Sequence, residues 1–152
     1  MKEKHSETSR LLEGWRNIDE LYHQYALSMG LTRMSFVVLE AIYRLEDHVT
    51  QKEIVKLTHL PKQTVSVVMN TFLDQGYVEA KEDKDDRRKK RIRLTKKGAE
   101  FSRCVFEPIF RAEAEVLSTL DPTERKLINR IVKELENTLV KAIVEETCKD
   151  NS

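Results

Sequence analysis

The hydrophobic rhythm of this chain changes twice, and that change limits the fold more than any other feature. Up to residue 75 apolar residues recur every three or four positions. Tyr77–Ala80 and Arg91–Thr95 then alternate with period two, and the three-to-four spacing resumes to the end. Period two puts alternate side chains on opposite faces of a strand, whereas steps of three and four line one side of a helix. Lys81 to Lys90, between the two short runs, is almost wholly charged. The spacing therefore predicts one hairpin with a long basic tip, set among helices.

The helices can be bounded by their end signals. Leu11, Trp15, Ile18, Tyr22, Tyr25 and Met29 form one stripe, stopped at Gly30. A second helix follows Thr32, a cap, and carries Phe36, Leu39, Ile42, Tyr43 and Leu45 to about Glu46–Asp47. Thr50 and Glu53 form a T-x-x-E capping box opening a short third helix to Leu57. Pro61 suits the first position of a fourth helix that stops at Gly76. On that helix Val65, Val68, Met69, Phe72 and Leu73 fall to one side, and Gln63, Ser66, Val67 and Asn70 to the other. Thr95 caps a fifth helix with Phe101, Val105, Ile109, Ala112 and Val116, which Pro108 should bend or deprive of a hydrogen bond. Asp121, Pro122 and Glu124 open a sixth, carrying Leu127, Ile128, Ile131, Leu135, Leu139 and Ile143; residues after about Thr147 are expected to fray.

Charge sharpens the picture. The formal net charge is +1, yet residues 81–98 hold ten Lys or Arg against four Asp or Glu. A positive field concentrated on one hairpin fits a polyanion. The chain has 152 residues, of which 39% are hydrophobic, enough for one domain or two small lobes and without an apolar run of membrane-spanning length. The first residues lack the apolar stretch of a signal peptide. Cys104 and Cys148 provide no disulfide framework, so a reducing cytoplasm is expected.

Helix, short turn, helix and hairpin make a winged helix-turn-helix arrangement, and its polar residues suit DNA. The amides of Gln63 and Asn70 can pair with adenine in the major groove, and Val67 can meet a thymine methyl. Lys62 and Thr64 lie near a helix N-terminus, where phosphate is favoured. Arg87, Arg88, Lys89 and Lys90 would bring cations to phosphates or to a narrow minor groove. No nucleophile–base pair, phosphate loop or carboxylate constellation points to an enzyme. His5, His23, His48 and His59 are scattered without i, i+4 spacing, and neither a metal nor another cofactor is expected.

Three segments carry a resemblance. Thr50-Gln-Lys-Glu-Ile54, Pro61-Lys-Gln-Thr-Val-Ser66 and Asp85-Asp-Arg-Arg-Lys-Lys-Arg-Ile-Arg-Leu-Thr-Lys-Lys-Gly98 are similar to the MarR (multiple antibiotic resistance regulator) family of bacterial transcription factors. The last is the most specific, joining an Asp-Arg-Arg tip to a strand ending Leu-Thr-x-x-Gly. Helix order agrees from about residue 8 to 147. The resemblance implies a mainly α fold with a small β-hairpin wing: a DNA-binding domain at 31–98, helical dimerisation regions at 1–30 and 99–147, and a disordered tail at 148–152. It implies a homodimeric repressor on a pseudo-palindromic double-stranded operator, released by a small aromatic or amphipathic effector or another signal. Gln51, Lys62, Gln63, Thr64, Ser66, Val67, Asn70, Arg87, Lys89 and Lys90 would face DNA, with Arg88 in the minor groove and Asp86 holding it.

The family often has Gly in the turn where this chain has His59, a residue that tolerates the left-handed region better than β-branched ones do. Pro61 stands where a capping Ser or Thr is frequent. A family pocket between dimerisation helices and winged core could be lined by Trp15, Tyr22, Phe36 and Tyr43, although such spacing also suits plain core. Two alternatives stand beside the ligand-released repressor. One is a thiol-responsive regulator using Cys104 or Cys148, with Cys104 expected to be buried on the fifth helix. The other is a winged-helix module that meets an acidic protein and binds no specific DNA.

Overall fold

The computed structural model describes residues 2–45, 49–82 and 90–149, and side chains from residue 7 to 143 except 8. The elements run α1 Lys2–Ser28, α2 Arg33–Leu45, α3 Gln51–Thr58, α4 Lys62–Asp74, β1 Val78–Glu82, β2 Lys90–Leu94, α5 Lys96–Thr119 and α6 Pro122–Lys149. β1 and β2 pair antiparallel, with Val78 opposite Leu94 and Ala80 opposite Ile92. The fold is thus mainly helical with one hairpin, as the rhythm predicts. Among the described residues, no single helix is long and apolar enough to cross a membrane.

Residue contacts divide the chain into Met1–Phe106 and Glu107–Ser152. In the first unit α2 packs on α3 and α4, and the hairpin closes against α4, α3 and α2. Phe36, Val38, Leu39 and Ile42 of α2, Ile54 of α3, and Val65, Val68, Met69 and Phe72 of α4 are buried there with Val78, Ile92, Val105 and Phe106. A stretch of α1 joins this core, where Ala26 is fully buried and the Tyr25 hydroxyl donates to the Val105 carbonyl at 3.0 Å. In the second unit α6 exposes Leu127, Ile128, Ile131, Val132, Leu139, Val140 and Ile143. Its start is a complete capping box. Asp121 accepts from the Thr123 and Glu124 amides at 2.6 and 2.9 Å, and its own amide donates to Glu124 at 2.8 Å.

Helix ends follow their local chemistry. Gly76, at φ 69°, closes α4 in a Schellman motif: its N–H donates to Leu73, and that of Tyr77 donates to Phe72 at 2.9 Å. The rings of Phe72 and Tyr77 meet edge-on at 6.2 Å, the apolar contact that accompanies such a cap. Gly30 ends α1 the same way, with Leu31 donating to Ala26. His59 takes the left-handed position after α3, at φ 55°, and its N–H returns to Val55.

Some details differ from the sequence expectation. Pro61 is the N-cap of α4 and not its first helical residue: its ψ is 140°, and its carbonyl takes the first helical bond, from Val65. Leu73 is 39% exposed, because the packed side of α4 is used up by Val65, Val68, Met69 and Phe72. Cys104 is exposed, contrary to the buried thiol expected. The inward side of α5 is set by Gly98, Ser102, Val105 and Phe106, and Cys104 lies two residues from Ser102, on the far side of the helix. Ser102 occupies the inner place instead, fully buried, and its hydroxyl has no hydrogen-bond partner. α6 runs to Lys149, and residues 150–152 of the expected tail lie outside the described residues.

Candidate nucleic-acid interface

Capping, an amide bridge and a helix–strand corner fix the geometry around α4. At the start of α3, Glu53 accepts from the Thr50 amide at 2.7 Å and from the Thr50 hydroxyl at 2.8 Å. Those bonds, the backbone one first, and the charge of Arg91 hold the Glu53 carboxyl below its usual range. Gln51, the first residue of α3, reaches across to α4. Its Nε2 donates to the Ser66 hydroxyl at 2.5 Å and to the Lys62 carbonyl at 3.3 Å. The left-handed turn at His59 lets the two helices meet at that bridge.

The hairpin is anchored from behind. The Thr95 hydroxyl donates to the Gly76 carbonyl at 2.6 Å and accepts from the Gly98 amide at 3.0 Å, so one side chain joins the end of α4 to the start of α5. Lys97 donates to the Gln75 carbonyl at 2.7 Å and lies over the Tyr77 ring, which stacks on Phe101 at 4.7 Å. That use accounts for one of two lysines at a helix N-terminus, where the dipole disfavours cations. Glu79 and Arg93 pair across the strands, and the arginine lowers the glutamate's pKa. Val49 adds a bridge to the outer side of β2 by exchanging two hydrogen bonds with Ile92.

The outward side of α4 carries the residues picked out in the sequence. Lys62, Gln63, Val67 and Asn70 are exposed, while Thr64 and Ser66 are half-buried. Ser66 and Asn70 turn toward an open cleft of about 870 Å³ between α3, α4 and the hairpin. Gln51 and Lys90 line it as well, so four of the expected residues share one concavity. Lys52, Lys56 and Arg91 line it too, three cations that the sequence reading did not single out. For Arg91 a signal existed, since it continues the basic run onto β2. Asp86, Arg87, Arg88 and Lys89 lie outside the described residues.

The aromatic set expected at an effector pocket splits. Tyr22, Phe36 and Tyr43 join Phe106 in one packed cluster, with Phe36 and Phe106 ring centres 5.1 Å apart and those of Tyr43 and Phe106 5.6 Å apart. Trp15 is 43% exposed on α1. The Cys148 side chain lies outside the described residues.

Comparison with known proteins gives a consistent answer. A sequence model of the MarR family matches residues 29–89. A MarR family regulator from Neisseria meningitidis is 26% identical, covers 92% of this chain over 98% of its own, and superposes with a TM-score of 0.73. The S. aureus regulator MepR in its DNA-binding conformation is 22% identical over 89% of this chain and 98% of its own, with a TM-score of 0.71. A MepR mutant bound to an oligodeoxyribonucleotide is 20% identical over 89% and 97%, at 0.58.

Proposed function

We propose that the chain is a MarR-type winged-helix transcription regulator, a homodimeric repressor of a pseudo-palindromic operator; the match of its residues 29–89 to the MarR family supports the reading. Regulators of this family are not enzymes, and DNA is their partner. One observation carries the proposal: α4 presents Gln63, Val67 and Asn70 outward, beside a cleft whose rim carries Lys52, Lys90 and Arg91. In this reading α4 enters the major groove, and Lys62, Thr64 and Lys90 meet phosphates. Arg87, Arg88 and Lys89 continue the contact at the wing tip, with Arg88 in the minor groove and Asp86 holding it.

The dimer has its own support. α1 exposes Leu11, Trp15 and Ile18 along the stripe that its sequence lays out, and α6 exposes seven large apolar residues. Such faces mark association surfaces, and a second copy with twofold symmetry would cover them and match an inverted repeat. The dimerisation regions are then 1–30 and 99–147, flanking a DNA-binding domain at 31–98. Release by a small aromatic or amphipathic effector, at a pocket that includes Trp15, Tyr22, Phe36 or Tyr43, completes the proposal.

The test is a DNA-binding titration at several salt concentrations, with light scattering on the free protein. A mass of twice 17.8 kDa and a salt slope that falls by about one in Lys90→Ala support the reading. A monomer, or a slope untouched by Lys90→Ala, contradicts it. The exposure of Cys104 favours one second reading, a thiol-responsive regulator. DNA binding lost on mild peroxide treatment but retained in Cys104→Ser identifies that case.

A further inference from the structure

The outward stripe of α4 is unusual in what it lacks. Gln63, Val67, Asn70 and Asp74 follow one another at helical spacing, and all four are exposed. Val67 alone is 66% exposed, a β-branched apolar side chain standing in water between two amides. Lys62, the first residue of the helix, is the only cation from 62 to 75. The neighbouring hydroxyls are already engaged, since Ser66 accepts from Gln51 and Thr71 donates to the Val67 carbonyl at 3.1 Å.

Base edges in the major groove are told apart by chemistry. Guanine is read by Arg or Lys at O6 and N7, adenine by the amide of Asn or Gln, and thymine by apolar contact with its methyl. The interior of this stripe holds no guanidinium or ammonium group. From Gln63 to Asn70 the helix rises about 10 Å, or about three base-pair steps at 3.4 Å each. Asp74, beyond Asn70, would be repelled by phosphate and closes the stripe to further backbone contact.

We infer that α4 reads an A·T core in each half-site, with Gln63 and Asn70 on adenine edges and a thymine methyl packed on Val67. The inference rests on the DNA-binding reading above and assigns Val67 as a specificity-determining residue. Gln51 is then a positioning residue, its Nε2 spent on α4 itself.

The test is selection from a random double-stranded library by the full-length protein. Deoxyuridine then replaces thymine in the core of the enriched site, which removes only the methyl group. The expected result is an A·T core, with binding weakened roughly fourfold by uracil, the worth of one buried methyl. That thymine–uracil difference should shrink toward none in Val67→Ala, an exposed substitution whose folding is checked by thermal melting. A G·C core, or equal binding of thymine and uracil sites, overturns the inference while leaving DNA binding intact. No enrichment of any sequence removes the DNA-binding reading, and the inference with it.

Discussion

Gly98 lies so close to Tyr77 that a Cβ at residue 98 would stand 1.8 Å from the Tyr77 carbonyl oxygen. The Thr95 backbone amide donates to that same oxygen at 3.0 Å. The Leu-Thr-x-x-Gly ending of the wing therefore has a physical reason: Thr caps α5 and holds the end of α4, and Gly lets the first turn of α5 press onto the backbone at 77. Gly98→Ala should cost about 3 kcal/mol or more, because backbone must move. Gly14→Ala is the control, at an exposed helical position with nothing within 4 Å; it should gain roughly 0.5–1 kcal/mol. Urea midpoints at constant m-value decide between them, and similar effects of the two substitutions would refute the account of the corner.

His59 carries the left-handed turn between α3 and α4 at φ 55°. His59→Val should lower stability by about 1–2 kcal/mol, since a β-branched residue fits that region poorly. His59→Gly should leave stability unchanged or raise it by up to about 1 kcal/mol. Thermal melting of both variants tests the assignment, which fails if Val is tolerated as well as Gly.

Acid should reach α3 through Glu53. Its folded pKa is lowered, chiefly by the Thr50 amide, so its stabilisation is complete above the usual glutamate pKa of about 4.5 and is lost as pH falls through the folded value. As pH falls below the usual glutamate pKa, the wild type should lose stability more steeply than Glu53→Gln, which keeps an acceptor oxygen but does not titrate. Thr50→Ala should cost about 1 kcal/mol at neutral pH. Parallel acid limbs for wild type and Glu53→Gln would show that this cap plays no part.

These elements also mark what a sequence discloses. Thr50–Glu53, Gly30, Gly76 and Asp121–Glu124 act within one turn of chain, so their chemistry is readable from local spacing. Gln63, Val67 and Asn70 were legible for the same reason, as the side of α4 left over once its apolar positions are assigned. The Val49 bridge to β2, the Gln51–Ser66 bond and the Gly98–Tyr77 approach join residues distant in sequence, and periodicity carries no trace of them. Cys104 was misplaced because Ser102, a polar residue, takes the buried place on α5.

Gln51 separates orientation from readout. Gln51→Ala removes the bond from α3 to Ser66 and the one to the Lys62 carbonyl. Affinity for DNA should fall by roughly threefold to tenfold, on the scale of one hydrogen bond, with the preferred sequence unchanged. Competition among single-base variants of a bound site measures both quantities, and a changed base preference would make Gln51 a reader.

In the proposed reading, α4 and the wing of two chains together read a DNA sequence. Selection of fragmented genomic DNA by the purified protein at ~150 mM salt, with Arg88→Ala in parallel, tests it most directly. The expected result is enrichment of a short inverted repeat by the wild type, and its loss in Arg88→Ala. Uniform recovery of fragments, or the same repeat enriched equally by both proteins, would contradict it.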